Sequence, residues 1–458
     1  MVIRSGRIVT DEGVVPGEVH IRDGTIEHVV TDRPATGNGT PGTALLDVGE
    51  LVVMAGLVDT HVHVNEPGRT DWEGFETAGL AAAAGGVTTI VVMPLNCTPA
   101  ATSVGALVGE VEAAREKCRV DYGLWGGVVP GNTGEIGPMW EAGALGFKAF
   151  MVESGVEDFG GVSVAALEKA ADVLSRLGAP LLVHAEDPGV ITRAAGTSGL
   201  AGQPRSYRRY LASRPPEAEQ EAVAALMRNI APRGVHVHVV HVADGTGVPR
   251  MIREAQSRGL NVTAETCPHY LAFCAEEIDD GATGFKCAPP IRDRESREAL
   301  WGLLRDGPLS MVVSDHSPCP PGMKSLEDGD FAKAWGGISS LQLGLAATWT
   351  GACRRGFGLA DIARWMCENP ARLAGLAGRK GRIAPGCDAD LVIFEPETEW
   401  TVRGAELYHR HKATPYDGRT LRGVVNRTIL RGRIIYDASS TNPFPTEPTG
   451  RWIKREST

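Results

Sequence analysis

Two periodicities divide the chain. Over the first 50 residues apolar and polar positions alternate in short runs broken by turns, as in Met1 to Val9 and Ile21-Arg22-Asp23-Gly24-Thr25-Ile26, the two-residue period of half-buried strands. A Gly/Pro/Thr-rich stretch from Pro34 to Thr43 reads as a loop. From about residue 52 to 380 apolar strand-like runs alternate with Ala/Leu/Glu-rich helical stretches such as Val164 to Leu177 and Pro216 to Ile230, which predicts βα units around a parallel sheet. Leu80 to Gly86 reads as a helix packed close on that sheet and ended by glycine. The strand-like runs end near His63, Met93, Gly126, Phe150, His184, His241, Glu265 and Asp315. Eight βα units in about 330 residues predict a (β/α)8 barrel of the TIM type. Strand signals return at Ala389 to Phe394 and Gly423 to Leu430. The expected fold is therefore α/β: a barrel over residues 52–380, with a small β-sandwich formed by both chain ends, residues 1–51 and 381–458.

The ends of these runs carry the chemistry. In His61-Val62-His63 strand alternation points both imidazoles to one face. Lys148, His184, His241 and Asp315 each stand at the end of a further apolar run. In a barrel of this type the active site lies where such strand ends meet. Hydrolysis of a stable amide at neutral pH needs a strong nucleophile and a polarised carbonyl, and two bridged divalent metals supply both. One metal takes His61, His63 and Asp315, the other His184 and His241, with zinc foremost and cobalt, manganese, nickel or iron also suited to these ligands. An anion must bridge them. Buried Lys148 would lose its proton more easily, and the neutral amine can add carbon dioxide to form a carbamate with two oxygen ligands. The competing reading of Lys148 is a simple salt bridge to a barrel acid.

Composition narrows the partners. A net charge of -10, with 43% hydrophobic and 22% charged residues, argues for an ordinary globular chain that binds neither nucleic acid nor an anionic membrane. Nine cysteines without a CxxC pair read as reduced thiols of a cytoplasmic protein. The N-terminus lacks the apolar core of a secretion signal, and no uncharged apolar run reaches the length of about 18 residues expected of a membrane span.

The set His61, His63, Lys148, His184, His241 and Asp315, opened by Gly56-Leu57-Val58-Asp59-Thr60 and closed by Gly381 to Leu391, resembles the amidohydrolase superfamily. Within it the likeness is to the cyclic amidohydrolases: dihydroorotases, hydantoinases or dihydropyrimidinases, and allantoinases. It implies a carboxylated Lys148 between two metals, Asp315 as ligand and proton shuttle, and a small cyclic ureide as substrate. Dihydroorotases carry an arginine two residues beyond the second histidine, where this chain has Asn65. An amide cannot neutralise a carboxylate. Hydantoinases show a tyrosine soon after the lysine, where Phe150 to Gly155 stands here. The stretches His63 to Phe75, Met93-Pro94-Leu95-Asn96, Ala264 to Leu271, Lys286 to Arg292 and Ser314 to Cys319 resemble the allantoinase branch, which implies opening of the hydantoin ring of allantoin to allantoate.

Asn65, Asn96, Cys287, Ser317 and the backbone near Pro289 are the expected substrate contacts, and His269 is placed to reach the substrate. His236 and His238 read as packed core, His316 as turned away, and His20, His28, His409 and His411 as surface residues of the β module. Arg69 and Arg292 read as solvated loop cations. The resemblance also implies a homo-oligomer, a tetramer through barrel-face contacts. Two other classes compete: a non-catalytic dihydropyrimidinase-like scaffold, and a mononuclear deaminase-like enzyme using His61, His63, His241 and Asp315 without a carbamate.

Overall fold

The computed structural model describes residues 1–31 and 44–455, so the loop expected at Pro34 to Thr43 lies outside the described residues. The barrel strands are β1 (Leu57–Val62), β2 (Val87–Val92), β3 (Asp121–Leu124), β4 (Phe147–Phe150), β5 (Leu181–His184), β6 (Val237–Val239), β7 (Val262–Thr266) and β8 (Leu309–Val312). They pair in parallel and in chain order, β1–β2–β3 in one sheet and β4 to β8 in another. The join at β3 is irregular: the chain steps past Trp125 into a short run at Gly126–Gly127, which pairs with β4. The other seam closes at the site. His63 N–H donates to the His316 carbonyl at 2.8 Å, and the buried Asp59 carboxylate accepts from Ser314 N–H at 3.2 Å. The eight strands of the sequence pattern are thus the eight of the barrel.

Local chemistry explains the helices between them. Val164–Leu177 starts where Ser163 accepts from Ala166 N–H and ends on Gly178 at φ 66°, a left-handed cap that favours glycine. Its buried positions Leu167, Ala170, Ala171 and Leu174 follow the i, i+3, i+4, i+7 spacing of one helical face. The helix expected at Leu80 spans Phe75–Ala84, with a buried face of alanines.

Both chain ends meet in one eight-stranded sheet. Val52–Ala55, placed at the start of the barrel by the apolar pattern, lies in this sheet, parallel to Val2–Thr10 and antiparallel to Leu391–Phe394. Gly56 makes the turn into β1. A Cβ there would sit 2.3 Å from the Thr88 hydroxyl oxygen, so only glycine lets the backbone pass. His409, expected at the surface, is fully buried against His316, with ring centroids 5.8 Å apart. The segment after residue 404 folds back onto the barrel, where Arg410 N–H donates to Glu73 and His411 Nε2 meets the Asp71 carbonyl. Among the described residues no helix is long and apolar enough to cross a membrane, and the cysteines are unpaired thiols.

Sheet and barrel are joined by a buried ion cluster. Lys380 Nζ lies 2.7 Å from Asp121 on β3, 2.8 Å from Asp388 and 2.5 Å from Asp390. Lys380→Met leaves these carboxylates without their shared cation, and removing one partner of a buried pair costs about 3–5 kcal/mol. Denaturant unfolding of the variant is expected to show that loss, and a midpoint unchanged from the parent chain contradicts it.

Candidate active site

The strands deliver their C-terminal ends to one mouth. There a cavity of about 400 Å³ is lined by His61, His63, His184, His241 and Asp315, together with Asn96, Cys287 and Ser317, within the size range of small-molecule sites. His61 and His63 stand 5.4 Å apart between ring centroids. Each Nε2 lies 3.3 Å from Asp315 Oδ1, and one ligand atom from each of the three falls within 4.8 Å of the others. The His241 ring is 5.4 Å from His61 and 4.6 Å from His184, so four imidazoles and one carboxylate converge from β1, β5, β6 and β8.

Lys148, on β4, is fully buried and its Nζ has no hydrogen-bond partner. Among the described residues it has no carboxylate at ion-pair distance, and its Nζ lies 4.9 Å from the centroid of the Phe150 ring. The salt-bridge reading therefore fails. Burial lowers the Lys148 ammonium to about 8. It also holds His61 and His241 well below the usual imidazole range, with the Lys148 charge adding to the effect. Neutral imidazoles are the form that binds metal. His61 Nε2 and His241 Nδ1 are, like Lys148 Nζ, buried without a partner. An unsatisfied buried polar group costs about 1–3 kcal/mol, and the two unpartnered imidazole nitrogens fit a cationic ligand. His241 and Asp315 also hold left-handed backbone, at φ 40° and 44°, a conformation costing on the order of 1–3 kcal/mol that persists where function requires it.

Sequence reasoning missed the residues that orient these imidazoles. Glu265 at the end of β7, fully buried, lies 2.6 Å from His61 Nδ1 and 2.9 Å from His238 Nε2. Burial pushes its carboxyl up to about 8. Glu186 lies 2.7 Å from His184 Nε2 and pairs with Arg214. Both carboxylates fix the tautomer of a neighbouring imidazole, the usual support for a ligating histidine. A signal existed: Glu265 is an acid inside an apolar strand run, and Glu186 follows His184 by two residues, on the same side of an extended chain. His238, read as core, belongs to this network.

The expected substrate contacts divide. Asn96, Cys287 and Ser317 line the cavity. Asn96 Oδ1 also lies 2.8 Å from His63 Nδ1, so it orients that ring. Asn65 and Pro289 are not at the cavity wall. Strand alternation stops at Val62; beyond it Asn65 N–H donates to the Glu73 carbonyl, and the Asn65 side chain is buried with both amide atoms unpaired. Pro289 is buried behind Cys287, its carbonyl accepting from Tyr270 Oη at 2.7 Å. His269 is fully buried off the wall, with a ring nitrogen within 4.8 Å of Asp315 and Cys267 ligand atoms. His316 turns away, its Nδ1 accepting from Ser340 N–H at 3.0 Å. Arg292 is a buried partner of Glu219 at 2.5 Å, not a solvated cation, while Arg69 donates to the Asn96 carbonyl at 3.1 Å.

Residues 52–435 match the model of the Amidohydrolase family. An allantoinase of Streptomyces avermitilis is 46% identical over 100% of this chain and 99% of its own length. An allantoinase of Arabidopsis thaliana is 42% identical over 95% of this chain and 87% of its own. Among solved structures, L-hydantoinase (dihydropyrimidinase) from Arthrobacter aurescens superposes with a TM-score of 0.92 at 31% identity, covering 99% of both chains. The barrel, its terminal sheet and the converging side chains therefore agree with the sequence match over nearly the whole length: the chain belongs to the amidohydrolase family.

Proposed function

We propose that this chain hydrolyses the hydantoin ring of allantoin to allantoate. In this reading His61, His63 and Asp315 hold one divalent cation, His184 and His241 hold a second, and a carbamate on Lys148 bridges them. The observation that carries it is the clustering of His61, His63 and Asp315 within 4.8 Å, together with the unpaired, fully buried amine of Lys148, whose charge acts on His61, His184 and His241. Zinc is the favoured metal, with cobalt, manganese, nickel or iron as alternatives. When bound, the two cations would activate water and polarise the ring carbonyl.

The chain's own groups supply the rest. Asp315, whose carboxylate faces the cavity between His61 and His63, takes the proton of the attacking water and returns it to the leaving ring nitrogen, acting first as base and then as acid. Glu265, Asn96 and Glu186 hold three imidazoles in fixed orientation. Phe150 stacks on His184 at 4.5 Å with 14° between planes, giving the wall an apolar face without a phenolic donor.

Ring choice rests on full-length similarity to allantoinases. A hydantoinase or dihydropyrimidinase activity is the second reading, favoured by the structural likeness to L-hydantoinase. A cytoplasmic homotetramer belongs to the same proposed reading. Turnover of allantoin, dihydroorotate, dihydrouracil and hydantoin by the purified protein tests the reading. Allantoin is expected to exceed each of the others by at least about tenfold in kcat/KM, a modest margin for a site with dedicated polar contacts. Chelation should abolish turnover and added zinc restore it; a faster rate on dihydroorotate or hydantoin replaces the reading.

A further inference from the structure

One cation on the cavity wall has no task in the chemistry above. Arg214 is committed: it pairs with Glu186, which orients His184. Lys333 is exposed and pairs with Asp330 at 3.5 Å. Lys286 differs from both. It lines the same cavity as Asp315 and Ser317 and is half-buried. Its Nζ donates to the Ala334 carbonyl at 2.5 Å and lies 5.3 Å from the centroid of the Tyr210 ring. Among the described residues no carboxylate lies within ion-pair distance of it. An ammonium has three donors, and only one is engaged.

The backbone around Lys286 is firmly held. Its carbonyl accepts from Gly337 N–H at 2.8 Å and from Lys324 Nζ at 3.4 Å, and Tyr210 Oη donates to the adjoining Cys287 carbonyl at 2.6 Å. The side chain is thus presented to the cavity from a fixed point, between the Tyr210 face and the Ala334 carbonyl. The metal-ligating groups gather elsewhere on the wall, and none of them contacts Lys286. Desolvating a cation with unused donors is unfavourable unless a ligand acceptor meets it.

We infer that Lys286 is a specificity residue that binds the carbonyl oxygen of the substrate's exocyclic ureido tail while the ring lies at the metal ligands. This rests on the proposed reading of the site as one that opens a ureide ring. A charged donor aimed at a neutral urea oxygen makes a strong, directional hydrogen bond. It discriminates against rings that lack the tail, because without that oxygen the desolvated ammonium is left unpaired.

The test is the ratio of kcat/KM for allantoin to that for hydantoin, which has the same ring without the tail. Lys286→Met is expected to lower kcat/KM for allantoin by about 10–100-fold, mainly through KM, and to change that for hydantoin by less than about threefold, as loss of one charged hydrogen bond predicts. Lys286→Arg, which keeps charge and donors, should retain most of the preference. Zinc content and melting temperature of each variant show that the fold is intact, and Lys286→Gln, with a neutral donor, provides the same comparison where the Met variant melts early. Equal losses on both substrates, or an unchanged ratio in a well-folded Met or Gln variant, overturn the inference while leaving the ring-opening reading in place. Failure of the parent chain to open allantoin removes both together.

Discussion

Lys148→Ala is expected to lose both metal ions and all measurable turnover, with partial recovery in short-chain carboxylic acids. The amine sits fully buried with no partner, surrounded by the imidazoles of His61, His184 and His241 that its charge perturbs. A protonated lysine there would repel two cations. Its carbamate would instead supply two anionic oxygens, and an alanine supplies none. Acetate or propionate entering the space left by the side chain can stand in for those oxygens. Metal content by elemental analysis, measured beside turnover, checks the prediction. A Lys148→Ala protein with two metals per chain and the parent rate eliminates the carbamate, and one retained metal with activity favours the mononuclear alternative.

The same residue predicts a pH dependence for assembly of the site. Only the neutral amine adds carbon dioxide, and burial has lowered the ammonium to about 8. Below that value the protonated form dominates and above it the neutral form does. Reactivation of metal-free protein by zinc and bicarbonate should therefore accelerate as pH rises through about 8. At a given pH near neutrality the neutral fraction is larger than for an ordinary lysine, whose value is near 10.4. A reactivation rate that is flat or falling across this range would oppose the assignment.

Asp315→Asn is expected to lower kcat by about 10²–10⁴, the usual worth of a positioned acid–base group. The substitution keeps the shape of the side chain and one oxygen facing His61 and His63 at 3.3 Å, so metal should largely remain. An amide cannot accept the proton of the attacking water and hand it to the leaving nitrogen. Single-turnover and steady-state rates should fall together while KM changes little. A loss below about tenfold, outside the range for general acid–base catalysis, assigns the proton transfers to another group.

Much of the architecture was legible because each level of the sequence agrees with the next. Apolar runs of four to six residues alternating with helical stretches mark parallel strands, and the C-terminal ends of such strands in a barrel face one mouth. His61, His184, His241 and Asp315 could be placed together on that argument, since each follows an apolar run with no glycine or proline between. Val52–Ala55 could not be assigned correctly, because a central strand of the terminal sheet is as apolar as a barrel strand. His409 was misplaced for a related reason: its neighbours are polar, and only the return of the chain over the barrel buries it.

Side-chain placement beyond the strands was the least legible part. Alternation extrapolated from His63 put Asn65 at the substrate, yet the strand ends at Val62 and the loop folds Asn65 inward. Glu265 and Glu186 were passed over because an isolated acid carries no periodic signal of its own. Their partners, His61 and His184, lie respectively 204 and 2 residues away. The left-handed backbone of His241 and Asp315 has no decisive sequence mark: Asp and His adopt it more often than most residues, yet still only in a small minority of cases.

By itself, then, the sequence determined the strand count, the helical faces and which residue types stand at the strand ends, because these depend on periodicity and composition within a few neighbouring positions. Only the tertiary structure decided the rest. Closing the barrel brings β1 beside β8, so that His61 and His63 meet Asp315, some 250 residues further along the chain, within 4.8 Å. The same closure strips water from Lys148 and leaves its amine unpaired. Desolvation and the meeting of distant residues are properties of the packed whole, and no local pattern encodes them.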